Sequence, residues 1–145
     1  MIYLFDSSIL LHYVRQTTIM VEVERVYDPF GSDNEAWICI VSKGELRSIS
    51  LQNEWGTSRR NRLERLLSDF FPADIFSEEV LDAYAEIDAF SQGKLPGKSS
   101  GVSARNMGKN DLWIAATAFV LNAKLLTTDA DFEHLNGIYV DVVRF

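Results

Sequence analysis

At 145 residues, 47% of them hydrophobic, the chain is the size of one domain and can bury a core without disulfides or a structural metal. Its single cysteine, Cys39 in the apolar run WICIV, excludes an internal bridge and reads as a buried thiol in a reducing compartment. The net charge of −7, 14 Lys+Arg against 21 Asp+Glu, argues against a general nucleic-acid binder. The start MIYLFD lacks a secretory signal and no run reaches the roughly 18 apolar residues of a membrane span, so a soluble, cytoplasmic protein is expected.

Ile2 to Phe5 reads as a short strand buried on both faces, followed by Asp6-Ser7-Ser8, where serine is a favoured helix cap. Ile9, Leu10, Tyr13 and Val14 recur at helical spacing. A second helix is expected over residues 18–28, ended by the turn residues Asp28-Pro29-Phe30-Gly31. Ala36 to Val41 is the second buried strand. Ser42-Lys43-Gly44-Glu45 then matches a capping box, which offers Glu45 a purely structural role.

A helix over 59–71 turns Leu63, Leu66, Leu67 and Phe70 inward and Arg59, Arg60, Arg62 and Arg65 outward. Pro72 ends it, an extended piece around Ile75-Phe76 follows, and Glu78 to Phe90 is amphipathic again. Residues 91–108, rich in Gly and Ser with several basic residues, read as a long, mobile loop. A helix over 110–122, a strand over 124–128, a short helix and a final strand near 138–142 complete the chain. Trp113, Phe119 and Leu121 are expected in the core, and His12 and His134 in surface or packing roles.

Alternating strands and helices imply a single three-layer α/β/α domain over 1–145 with a mainly parallel, Rossmann-like central sheet. Ligands bind such sheets beyond the carboxyl ends of the strands. Asp6, Glu45 and Asp129 each follow a strand, and Asp111 opens a helix that starts at the same edge. Two carboxylates about 5 Å apart repel by roughly 3 kcal/mol at an effective dielectric near 20. Four together call for a cation, and oxygen-only ligands select Mg²⁺ or Mn²⁺. Such a site can hydrolyse a phosphodiester with metal-activated water. Asp131 competes with Asp129 as the fourth acid; Asp129 is favoured, with Asp131 capping the helix from Phe132. Ser8 and Thr127, with Ser7 and Thr128, flank the acids and can orient them. Arg105 and Lys109, and beside them Lys94 and Lys98, border the site as candidates for substrate contact; the arginines at 59–65 more often mark a solvated helix face.

The motifs LFDSSIL, VSKGELR, NDLWIAATA and LLTTDADF, in that order, resemble the PIN-domain family, and most of all its VapC-type toxins. The resemblance spans nearly the whole chain. It implies a Mg²⁺/Mn²⁺-dependent endoribonuclease with Asp6, Glu45, Asp111 and Asp129 as metal ligands and Thr127 as a neighbouring hydroxyl. It also implies an RNA substrate, a homodimer and inhibition by a cognate antitoxin. The loop at 91–108 and the acidic balance depart from the family pattern. Rival readings are an RNA-maturation nuclease without antitoxin, a phospho-acceptor domain, and a non-catalytic metal- or RNA-binding module.

Overall fold

A computed structural model describes residues 1–145. In chain order the elements are β1 (Ile2–Phe5), α1 (Ser7–Arg15), α2 (Thr18–Tyr27), β2 (Glu35–Cys39), α3 (Ile40–Gln52), α4 (Thr57–Ser68), β3 (Phe71–Ala73), α5 (Glu78–Ser91), α6 (Lys109–Leu121), β4 (Lys124–Thr127), a 3-10 helix (Ala130–Leu135) and β5 (Asp141–Arg144). The sheet order is β3-β2-β1-β4-β5 and every pair is parallel, so all five carboxyl ends share one edge.

The period-2 geometry of the strands divides the apolar side chains between two cores. Leu4, Cys39 and Leu125 face a core built with Ile87 and Phe90 of α5 and Ile114 and Ala118 of α6. Tyr3, Phe5, Ile38 and Leu126 face the other, built with Ile9, Leu10 and Val14 of α1, Leu46 of α3, and Leu63 and Leu67 of α4. The result is the three-layer α/β/α arrangement. On the second face Phe5 meets Phe70 and Tyr13 edge-on, with ring centroids 4.9 and 5.4 Å apart. Edge-to-face contact suits the ring quadrupoles and holds the end of β1, from which Asp6 emerges. The chain switches direction across the sheet between β1 and β4, which opens a crevice at their carboxyl ends.

Several local expectations are corrected. The helix after β2 starts at Ile40, so Ser42 is its buried third residue rather than a cap, and Glu45 lies inside the helix. There is no capping box. The cap of α1 is Asp6 itself, which accepts from the Ser7 N–H, and the cap of the 3-10 helix is Asp129, not Asp131. The third strand is Phe71–Ala73, with Pro72 inside it; an edge strand tolerates proline because one side lacks a partner. Phe76 is 94% exposed in the loop that follows. The last strand begins at Asp141, after Gly137 turns the chain at a φ of 73°. Phe119 is 44% exposed instead of joining the core. No helix is long and apolar enough to cross a membrane.

Candidate active site

Asp6 ends β1 and caps α1, and only 4% of it is exposed. Its Oδ1 accepts from the Ser7 N–H at 2.8 Å, and its Oδ2 accepts from the hydroxyls of Ser8 and Thr127, each at 2.8 Å. These donors favour the anion, as does the positive end of α1. Burial is the larger effect and pushes the Asp6 carboxyl up from the usual range, with the charge of Glu45 adding to it. Ser8 and Thr127 also look outward: Ser8 Oγ accepts from the Thr128 N–H at 3.0 Å, and Thr127 Oγ1 accepts from the Asp129 N–H at 2.9 Å. The two hydroxyls therefore tie the start of α1 to the loop after β4.

Glu45 reaches the same place from α3. Its Oε1 accepts from Ser7 Oγ at 2.9 Å, a role the loss of the capping box leaves open to it. Ser7 thus serves twice, once with its backbone on Asp6 and once with its side chain on Glu45. Asp111, the third residue of α6, is half-buried and is pushed up to about 7. Desolvation is the main cause, followed by the charges of Asp6, Asp129, Glu45 and Asp131. One carboxyl feels four others, so Asp6, Glu45, Asp129 and Asp131 all carry their charge near enough to Asp111 to act on it.

The fifth acid is the one set aside. Carboxylate oxygens of Asp111, Asp129 and Asp131 all lie within 4.8 Å of one another. Asp129 Oδ1 accepts from the Asp131 N–H at 2.9 Å, which orients it while leaving its other oxygen to the cleft. Asp131 is exposed and lies 3.6 Å from Arg105 Nη1. Its spacing from Asp129 in the sequence was the available signal: the 3-10 turn brings both side chains to one side.

The basic candidates behave unequally. Arg105 is held beside the acids, its N–H donating to the Ser91 carbonyl at 2.7 Å, and it borders a cavity of about 150 Å³ with Asn106, Met107 and Asp131. Lys109 begins α6 and is exposed next to Asp111, and Lys94 is exposed in the loop. Lys98 lies over the Tyr139 ring at 4.1 Å from its centroid. The histidines are outside the cluster: His134 Nε2 is bonded to Ser91 Oγ at 2.7 Å and His12 Nδ1 to Thr17 Oγ1 at 2.9 Å. A cavity of about 460 Å³ runs from Glu45 along α3, lined by Val41, Gly44, Ser48, Ile49, Gln52 and Asn110. Asn110 was missed in the sequence; its place just before Asp111 at a helix start was the only hint.

The donor set fits a hard cation. It offers carboxylate oxygens and no sulfur or imidazole, since burial pushes the Cys39 thiol up and keeps it protonated in the core. A divalent ion would also relieve the mutual repulsion that raises Asp111.

The family described as PIN domain matches residues 3–138. The chain belongs to the PIN-domain family. Similar folds occur in a chain of VapBC2 from Rickettsia felis, solved bound to a DNA fragment from their promoter. That match has a TM-score of 0.75 at 22% identity and covers 98% of each chain. VapBC-1 of nontypeable Haemophilus influenzae matches with a TM-score of 0.75 at 21% identity, covering 99% of this chain and 98% of that one. VapBC-5 of Mycobacterium tuberculosis, a member of the VapBC family of toxin-antitoxin systems, matches with a TM-score of 0.62, again at 21% identity and the same coverage. No curated protein matches the sequence. The PIN domain here therefore shares its fold with these chains along nearly their whole length.

Proposed function

We propose that this PIN domain is a Mg²⁺- or Mn²⁺-dependent endoribonuclease and the toxin of a toxin–antitoxin pair. The observation that carries the reading is the crowding of Asp6, Glu45, Asp129 and Asp131 around Asp111, whose carboxyl is pushed up to about 7 first by burial and then by these charges. Groups so perturbed in a cleft are candidates for chemistry rather than for stability. Asp6, Glu45, Asp111 and Asp129 would hold the cation. When bound, the cation supplies Lewis-acid polarisation of a phosphodiester and activation of water.

The chain's own residues position and balance charge. Ser8 and Thr127 hold Asp6, Ser7 holds Glu45, and the Asp131 N–H holds Asp129. A bound cation would draw the raised Asp111 carboxyl back to its anion, so Asp111 acts as a ligand whose charge the cation balances. Arg105 and Lys109 at the rim would meet the flanking phosphates.

Incubating the purified protein with RNA and Mn²⁺ tests the activity. Cleavage is expected to vanish with chelator and with Asp111→Asn; cleavage that survives both would discard the reading. RNA-end mapping after controlled expression identifies the target. The VapBC relatives favour an antitoxin partner, so growth arrest relieved by a neighbouring gene product is expected. Its absence would favour an RNA-maturation nuclease. The homodimer implied by the family is checked by light scattering.

A further inference from the structure

We propose that the solvent face of α4 is a phosphate-binding track that holds the RNA strand outside the acidic cleft, an inference that rests on the ribonuclease reading. The track is a local reversal of charge. Residues 47–65 carry five arginines against Glu54 and Glu64, a net +3 in a chain of −7. Four of the five, Arg59, Arg60, Arg62 and Arg65, lie within two turns of α4, and all are exposed.

None of these four lies within 4.0 Å of a carboxylate. The acid best placed to neutralise them, Glu64, is taken by Arg47 of α3 through two bonds of 2.9 and 3.0 Å. That pairing joins α3 to α4 and leaves the charge of α4 uncompensated. Arg59, Arg62 and Arg65 follow at i, i+3 spacing, so their side chains are neighbours along one flank. Like charges so placed weaken a helix, and α4 buries only Leu63 and Leu67 in return. Arg59 also lies over the Trp55 ring, 4.4 Å from its centroid, which leaves its edge N–H groups free. A row of guanidinium groups without carboxylate partners matches a row of phosphates, which each accept from a planar fork.

The route from cleft to track is open. Glu45 and Arg47 point to different sides of α3, and Gly44 and Ser48, both exposed, occupy the ridge between them. A Cβ at Gly44 would meet nothing within 4 Å. A single strand leaving the acids can cross α3 over these two small residues and reach Arg60 and Asn61, which share a cavity of about 390 Å³ with Arg47 on the α3 side of α4. From there it passes over the solvent face of the helix to Arg65 and Arg62. The acidic cleft repels phosphates other than one whose charge a bound cation would balance. A remote basic track supplies the missing attraction.

The test uses the full chain and a short fluorescein-labelled single-stranded RNA. Affinity is read by anisotropy across a salt series in chelator, and kcat and KM are read separately in Mn²⁺. R62Q/R65Q should weaken binding roughly tenfold and flatten the slope of log affinity against log salt by about 1.4. In cleavage KM should rise by a similar factor while kcat stays unchanged. R15Q/R25Q, which removes the same charge from α1 and α2, should leave affinity and slope near the parent values. Circular dichroism and melting confirm that the variants fold; if R62Q/R65Q does not, R65Q alone should flatten the slope by about 0.7. Unchanged affinity and KM in the α4 variants, or equal losses in R15Q/R25Q, would overturn the track. Unchanged RNA binding with loss of binding to an acidic partner protein would overturn it as well. A parent chain that neither binds nor cuts RNA would instead overturn the ribonuclease reading.

Discussion

Asp111→Asn should make the metal-free protein more stable above neutral pH, although it removes a residue assigned to the chemistry. The Asp111 carboxyl has an ordinary value of 3.8 when unfolded and about 7 when folded. The folded chain therefore binds the proton more tightly than the unfolded chain. Stability from this group is fully present below about pH 4, declines as pH rises through the window to about 7, and is a penalty above it. A shift of that size in a fully buried group would be worth about 4 kcal/mol. Asp111 is only half-buried, so solvent screening reduces the penalty to about 2 kcal/mol. Asparagine keeps the shape and removes the charge. In chelator above pH 7 the variant should melt about 4–8 °C higher than the parent, and below pH 4 the two should coincide. Saturating Mn²⁺ should invert the order, because the parent gains binding energy and the variant loses a ligand. Calorimetry across this pH range, with and without Mn²⁺, reads all three. Melting curves that run parallel at every pH would refute the crowded-acid reasoning.

Thr127→Val removes the donor to Asp6 and the acceptor of the Asp129 N–H at nearly constant volume. It should lower stability by about 1–3 kcal/mol in chemical denaturation and reduce activity with it. Ser7→Ala frees Glu45 while leaving the Ser7 N–H on Asp6; Mn²⁺ affinity by calorimetry should fall by about 10–100-fold without loss of fold. Asp129→Asn should lose far more cleavage than Asp131→Asn, since Asp129 is oriented by a backbone donor while Asp131 is exposed and drawn to Arg105. Equal losses in single-turnover assays would promote Asp131 to an equal place in the site.

Much of this protein was readable as a string. The buried strands IYLF and KLLT needed no context, because an apolar run bounded by Asp6 or by Thr128-Asp129 has few other stable forms. The parallel sheet and the edge on which the acids lie followed from the order of elements alone. Local chemistry was less decisive. Ser42-Lys43-Gly44-Glu45 satisfies the capping pattern, yet Cys39 and Ile40 continue straight from strand to helix, so the pattern falls one turn inside. Which of Asp129 and Asp131 faces Asp111 depends on a 3-10 turn, and the answer that both do is a matter of distances. The edge position of β3, which alone allows Pro72 in a strand, is likewise absent from local sequence.

What the chain carries by itself is periodicity and order: which residues must leave water, and on which side of the sheet each acid emerges. Only the folded structure decides electrostatics. The elevated pKa of Asp111 comes first from its burial and then from the charges of four side chains that follow β1, sit in α3 and follow β4, and both depend on how residues as much as a hundred positions apart are packed together.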